Sequence, residues 1–161
     1  MQTKYNKKYN MDYKKVESYT ENNRIEAKSA AGGLPESLWE TYSAFANTLG
    51  GVVLLGVDEL TNRALKVNLG IARPRRMVRE IFAGLRDTSN VSANILTKKN
   101  AQIIRVGGKK IIALEIPRAT KEVRPVYIGG DIYKGTYIRI GEGDYRCTKA
   151  EVEEMLDGRK G

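Results

Sequence analysis

The sequence predicts an α+β domain in which helices flank a mixed β-sheet. Short apolar runs typical of strands alternate with segments of helical periodicity, and Gly, Pro and Asn/Asp turns separate them. No internal repeat is present, and 161 residues of which 41% are hydrophobic are enough to bury a core. We therefore expect one domain over residues 12–157. Residues 1–11 are polar and predict a disordered basic tail or a cloning remnant.

The first half of the chain predicts a strand, a helix and a buried strand. Residues 24–30 predict a short strand with Ile25 facing inward. After a Gly-Gly turn, a helix is expected to begin at Pro35, because proline suits the first helical position. Its apolar stripe consists of Leu38, Tyr42, Phe45 and Leu49. A second Gly-Gly pair ends this helix, and the continuous apolar run at 52–57 predicts a strand buried on both faces.

The second half predicts a further helix, a set of strands and a closing helix. The second helix is expected to begin at Pro74 and to bury Met77, Val78, Ile81 and Leu85. Strands are predicted at 92–97, 101–106, 109–116, 125–128 and 136–140. A glycine pair between the two longest of these indicates a hairpin. Thr148 and Glu151 form a capping box, which predicts the start of a final helix.

The charge balance favours a polyanionic partner. The chain has 28 Lys and Arg against 19 Asp and Glu, a net charge of +9, and such an excess attracts nucleic acid or an anionic membrane surface. No apolar run approaches the roughly 20 residues that span a bilayer, and no apolar signal core follows the N-terminus. The single cysteine, Cys147, fits a reducing compartment. We expect a cytoplasmic protein that binds DNA or RNA and no membrane.

The composition also excludes several enzyme classes. Histidine is absent, which rules out Ser-His-Asp hydrolysis, Cys-His chemistry and zinc sites that use histidine. No Gly-x-x-x-x-Gly-Lys-Ser/Thr phosphate-binding loop occurs, so this segment is not expected to bind ATP by itself. Any acid–base or metal chemistry must use carboxylates, lysine or tyrosine.

Basic side chains cluster on one face of the predicted second helix. At about 100° per residue, Arg75, Arg79 and Arg86 fall within a narrow arc, and Glu80 is the only acid among residues 73–86. Glycines near the later basic positions would let backbone amides approach phosphates. The candidate nucleic-acid-binding residues are Lys28, Arg75, Arg76, Arg79, Arg118, Lys121, Arg124, Lys134 and Arg139. The alternative for each is an ordinary solvated charge.

Three glutamates define a candidate metal site. Glu21 and Glu26 lie near the start of the first strand, and Glu59 follows the buried strand. Carboxylates are the ligands that Mg²⁺ prefers, and such an ion can activate water for phosphodiester cleavage. These three residues are therefore the candidate catalytic and metal-binding set of a nuclease that uses Mg²⁺ or Mn²⁺. The alternative is that the acids form salt bridges, for example between Glu26 and Lys28, in which case no cofactor is expected.

Several separated motifs stand in a distinctive order at Glu21, Glu26, Lys28, Ser43–Thr48, Gly50, Gly51, Gly56–Glu59, Ile116–Ala119, Arg124–Tyr127, Gly135–Arg139 and Gly141. In these motifs the chain resembles the Schlafen-type, Alba-like (AlbA_2) DNA-binding domain family over roughly residues 15–156. The resemblance implies an α+β fold. It also implies the DNA-binding domain of a bacterial transcriptional regulator, followed in a longer parent protein by an ATPase-like module and a winged helix.

The same resemblance implies a second function. In Schlafen endoribonucleases, which cleave transfer and ribosomal RNA, three acidic positions are catalytic, and they correspond here to Glu21, Glu26 and Glu59. This chain has Glu59 where those nucleases have Asp. Three functions therefore stay open: a nucleic-acid-binding domain, a metal-dependent endoribonuclease acting on structured RNA such as tRNA, and an oligomerisation domain. A homo-oligomer is compatible with each of them.

Overall fold

A four-stranded mixed sheet forms the centre of the computed structural model, which describes residues 5–160. In chain order the strands are β1 (Tyr5–Asn6), β2 (Met11–Asp12), β3 (Ile25–Lys28), β4 (Gly51–Leu55), β5 (Asp58–Glu59), β6 (Leu65–Lys66), β7 (Ala101–Val106), β8 (Lys109–Ile116), β9 (Tyr137–Ile140) and β10 (Gly143–Arg146). The α-helices are α1 (Leu38–Asn47), α2 (Pro74–Arg86), α3 (Ile132–Gly135) and α4 (Lys149–Gly158).

The central sheet has the strand order β3-β4-β8-β7. β3 is parallel to β4, whereas β4–β8 and β8–β7 are antiparallel, so the sheet is mixed. Successive side chains of a strand point to opposite faces. In β4, Val53 and Leu55 therefore pack with α1 and α2, while Val52 and Leu54 pack on the other face. This arrangement confirms the α+β fold class with flanking helices.

The N-terminal segment covers the second face of the sheet. Residues 5–11 were expected in a disordered tail, but β1 and β2 form an antiparallel hairpin, followed by a 3-10 helix at Tyr13–Ser18. Met11, Tyr13 and Val16 are buried against the sheet. The prediction failed because this segment is polar on average, so its local composition does not show that these three side chains pack on the sheet. Their packing removes this face of the sheet from water. Residues 1–4 of the predicted tail lie outside the described residues.

Other sequence predictions agree with the structure to different degrees. The strands predicted at 101–106 and 109–116 match β7 and β8, and α2 begins at Pro74 as expected. The capping box of α4 is present, with Thr148 Oγ1 accepting from the Glu151 amide. The strands predicted at 92–97 and 125–128 are wrong, since residues 92–97 form neither strand nor bridge and 125–128 contributes only isolated bridges at Tyr127 and Ile128. Side-chain hydrogen bonds to the backbone, such as that from the Tyr127 amide to Ser92 Oγ, hold them instead.

The C-terminal end of α1 is joined to the second half of the chain by buried polar side chains. Asn47 Nδ2 donates to the carbonyls of Val126 (2.9 Å) and Tyr137 (3.0 Å), and its Oδ1 accepts from the Val126 amide at 2.7 Å. Ser43 Oγ also donates to the Val126 carbonyl and accepts from the Tyr137 amide. The Ser43–Thr48 motif is therefore a structural connection between α1 and β9.

A close approach of the backbone explains the glycine that follows α1. Gly50 has φ +74°, and a Cβ there would lie 2.8 Å from the Ile116 carbonyl oxygen. Only glycine fits both conditions without strain. This turn brings the chain from α1 directly into β4.

None of the helices between residues 5 and 160 is both long and apolar enough to cross a membrane.

Candidate nucleic-acid interface and acidic cluster

A basic groove lies between α2 and the outer strand β7 of the sheet. Two adjoining cavities of about 1150 and 550 Å³ share Arg75, Arg79 and Ile103, and we call them together the α2 groove. Its basic side chains are Arg73, Arg75, Arg76, Arg79, Arg86, Lys98 and Lys110. Glu80 is the one acid among the described residues that line it, and its carboxylate lies 3.6 Å from the Arg76 guanidinium.

The amphipathic sequence of α2 produces this groove. Met77, Ile81 and Leu85 are buried in the core, so the arginines of the opposite face are exposed to solvent. Arg75, Arg79 and Arg86 lie within about 40° of one another around the helix axis and extend over roughly 16 Å along it. The prediction that α2 carries an exposed arginine face is confirmed. Contact of this face with phosphates remains a prediction.

Three carboxylates converge near β3, at the edge of the sheet opposite β7. Glu21 precedes β3, Glu59 is in β5, and Glu142 lies in the turn between β9 and β10; their carboxylate oxygens are within 4.8 Å of one another. We call these three residues the acidic cluster. Oxygen ligands at this spacing suit a hard divalent cation, so these side chains would hold Mg²⁺ or Mn²⁺. Arg63 forms an ion pair with Glu142 and would compete with such an ion.

Glu21 is the most unusual member of the acidic cluster. Its side chain is buried, and its Oε2 accepts a hydrogen bond from the Ala27 amide at 2.9 Å. The pKa of the Glu21 carboxyl is raised to about 7, mainly by burial and also by the negative charges of Glu26 and Glu59, while the hydrogen bond from the Ala27 amide lowers it. Glu21 can therefore carry a proton near neutral pH.

Glu26 takes the salt-bridge role that the sequence left open as the alternative to metal binding. Its carboxylate lies 2.9 Å from the Arg139 guanidinium and 3.7 Å from Lys28 Nζ, so it forms a salt bridge and is outside the acidic cluster. Glu142 takes the third place in the cluster. Sequence analysis missed Glu142, and the one signal available was the Gly-Glu-Gly turn that contains it.

Arg139 is an internal residue, and its assignment to a nucleic-acid surface must be corrected. Its side chain is fully buried and forms ion pairs with Glu26 and Asp144, the latter at 2.8 Å. Its Nη2 also donates to the carbonyls of Asn22 (2.9 Å) and Ile25 (3.2 Å). The reason is that β9 packs against α1, and from there the Arg139 side chain reaches the backbone carbonyls at the start of β3, which require donors.

The remaining predicted basic residues lie apart from the α2 groove. Arg118, Lys121 and Arg124 line a pocket of about 320 Å³ together with acidic side chains of α4. Lys134 is exposed on α3, and Lys28 is nearly buried, with its Nζ 2.9 Å from Ser37 Oγ. The structure therefore brings together Arg75, Arg76 and Arg79 from the predicted set, and adds further cations around them.

The α2 groove and the acidic cluster lie at opposite edges of the four-stranded sheet. β7 borders the groove, whereas β3 and the adjacent β5 border the acidic cluster, and three strand spacings separate β7 from β3. At about 4.8 Å per spacing this is roughly 14 Å. Contacts with the residues of the α2 groove therefore do not by themselves bring a ligand to the acidic cluster.

The chain matches one protein-family model and is similar to solved structures of other proteins. The family model described as Schlafen, AlbA_2 matches residues 9–148. The N-terminal domain of a RecG-related protein from Nitrosomonas europaea is 30% identical, with a TM-score of 0.60, and the match covers 83% of this chain and 89% of that one. The DIP2311 protein from Corynebacterium diphtheriae is 19% identical, with a TM-score of 0.52, over 86% of this chain and 24% of that one, and supports the fold alone. Among curated proteins, none matches the chain significantly.

Proposed function

The chain belongs to the Schlafen AlbA_2 family, and on this basis we propose that it is a nucleic-acid-binding domain that holds a phosphate backbone in the α2 groove. We further propose that its ligand is DNA and that it serves a transcriptional regulator. The family resemblance supports the regulatory role, and the name of the Nitrosomonas europaea protein relates that protein to an ATP-dependent DNA helicase. That solved domain is N-terminal, which supports a longer parent protein for this chain too.

The arginine face of α2 is the observation that carries the proposal. Arg75, Arg79 and Arg86 are exposed and have no ion-pair partner among those identified between residues 5 and 160. Such cations bind polyanions by releasing condensed counterions from the phosphate backbone. Their spread of roughly 16 Å along the helix suits an extended polyanion better than a single phosphate.

Phosphate contacts of this kind set affinity and register and carry no sequence information. The groove therefore supplies general attachment to nucleic acid. Sequence choice would come from other parts of a longer protein or from contacts to bases.

The salt dependence of binding tests this proposal. Fluorescence anisotropy with labelled DNA would be recorded between 50 and 200 mM salt, about the range over which phosphate binders lose most affinity. The variant Arg75→Glu with Arg79→Glu should weaken binding and reduce the slope of log affinity against log salt by about 1.5, since each lost phosphate contact removes 0.7–0.9. An unchanged slope would remove α2 from the interface.

A matched control is available at Lys149 of α4 and at Lys160, two residues after the end of that helix. Lys149→Glu with Lys160→Glu changes the net charge by the same amount at side chains that are 77% and 82% exposed and far from the groove along the chain. We expect this control to retain most of the affinity. Equal losses in both double variants would mean that overall charge, and not the groove, controls binding.

A second candidate function, metal-dependent phosphodiester cleavage of structured RNA, is favoured by the acidic cluster. A divalent cation held by Glu21, Glu59 and Glu142 would supply Lewis acidity and an activated water. The carboxyl of Glu21, whose pKa is raised to about 7 in the metal-free site, would release its proton when it binds the ion, so metal binding should strengthen as the pH rises through 7.

A denaturing gel tests the second candidate. Labelled tRNA would be incubated with the protein in Mn²⁺ or in EDTA, beside the variants Glu21→Gln and Glu154→Gln. Fragments that require both Mn²⁺ and Glu21, and that persist in the Glu154 variant on α4, would establish an endoribonuclease. Intact RNA in every lane would leave the binding function alone.

A further inference from the structure

The α2 groove has an apolar floor that phosphate binding does not require. Val78, Phe82, Ala101 and Ile103 line the smaller of its two cavities, between the basic side chains. Each of these four residues is only partly buried, so part of their surface faces the groove. A floor of this kind excludes water only if the ligand also presents an apolar surface.

Phe82 lies directly beside the arginine face. On a helix of 3.6 residues per turn, position 82 is about 20° from position 75 around the axis and about 10 Å further along it. Arg79 and Arg86 lie about one turn before and one turn after Phe82, and all three side chains line the same cavity. An aromatic ring between two cations can stack on a base while the cations bind the phosphates on either side.

Duplex and single-stranded nucleic acids differ in what they can offer to this floor. A duplex presents its phosphates outward and keeps the faces of its bases stacked inside, whereas a single strand exposes base faces that stack on aromatic side chains. We propose that the α2 groove receives single-stranded nucleic acid, with a base on Phe82 and phosphates on Arg75, Arg79 and Arg86. This inference rests on the proposed nucleic-acid-binding function and specifies its ligand.

The test compares a single strand with a duplex. Anisotropy would be measured with labelled oligo(dT), oligo(rU) and a DNA duplex of equal length. We expect the single strands to bind more tightly than the duplex, and Phe82→Leu to weaken single-strand binding about tenfold, within the range of one lost stacking contact. Duplex binding should be unchanged. The two single-strand arms show whether DNA or RNA is the source of the bound strand.

Three further variants keep the result interpretable. Leucine retains apolar volume against the core, so Phe82→Leu should preserve the unfolding midpoint in urea, while Phe82→Trp should restore single-strand affinity. Tyr133→Leu removes an aromatic that is 44% exposed on α3, outside the groove, and should have no effect. Arg79→Glu should weaken the binding of every nucleic acid.

The outcomes separate the inference from the function on which it rests. Equal affinity for strand and duplex, or no effect of Phe82→Leu, would overturn the single-strand inference, while sensitivity to Arg79→Glu would preserve the binding function. Loss of single-strand binding in Tyr133→Leu instead of Phe82→Leu would also overturn it by moving the contact to α3. Absence of binding to all three probes would overturn both.

Discussion

Replacing Arg139 by methionine should destabilise the domain strongly. The change removes a buried guanidinium that pairs with Glu26 at 2.9 Å and Asp144 at 2.8 Å, and that donates to two backbone carbonyls. Methionine fills much of the same space against the Phe45 ring, whose centroid lies 5.0 Å from the guanidinium carbon. The loss is therefore mainly electrostatic, because two nearly buried carboxylates lose their shared cation.

Breaking a buried ion pair by removing one partner costs about 3–5 kcal/mol. Domains are typically stable by only about 5–15 kcal/mol, so the free energy of unfolding should fall by a large fraction. Urea denaturation at pH 7, followed by far-UV circular dichroism, would measure it. The surface variant Arg76→Met, at a side chain that is 63% exposed, should change stability by about 0.5 kcal/mol or less.

A loss below about 1 kcal/mol in Arg139→Met would refute this reasoning, because it would mean that the two carboxylates find water or another cation. A triple variant provides an internal check. Adding Glu26→Gln and Asp144→Asn to Arg139→Met removes the uncompensated charges, and we expect it to be more stable than the single variant.

Two further predictions concern Glu21 and Asn47. The pKa of Glu21 is raised from 4.5 to about 7 in the folded state, so its contribution to stability is fully present below about pH 4.5 and is lost as the pH rises through 7. The wild-type unfolding temperature should therefore fall between pH 5 and pH 8 more than that of Glu21→Gln; parallel curves would contradict the raised pKa. Asn47→Ala should cost about 2 kcal/mol or more in urea denaturation, because it leaves the Val126 amide and the Tyr137 carbonyl without their Asn47 partner, while Ser43 Oγ still donates to the Val126 carbonyl. A loss under about 1 kcal/mol would show that water replaces the side chain.

The features that sequence analysis predicted well are local ones. The arginine face of α2 follows from helical periodicity within thirteen residues, and the β7–β8 hairpin follows from a glycine pair between two alternating runs. Both patterns are complete within a single segment. No distant part of the chain is needed to recognise them.

The features it missed depend on contacts between distant segments. Glu142 joins Glu21 only because the turn between β9 and β10 folds back beside the start of β3, more than a hundred residues earlier. Arg139 alternates with apolar neighbours as an exposed residue of a half-buried strand would, and only its packing under α1 shows that it is internal. The hairpin at residues 5–12 likewise depends on a sheet face that forms much later in the chain.

The α2 groove concentrates seven basic side chains at the β7 edge of the sheet, with Glu80 as the one acid among the described residues that line it. An approaching polyanion is attracted to this edge, so the domain turns the edge towards the ligand before any contact forms. Within the Debye length of about 8 Å at physiological ionic strength, this torque favours collisions in which α2 faces the ligand. The charge distribution therefore acts first on the orientation of binding and on its rate, and the contacts in the groove then determine how long the complex lasts.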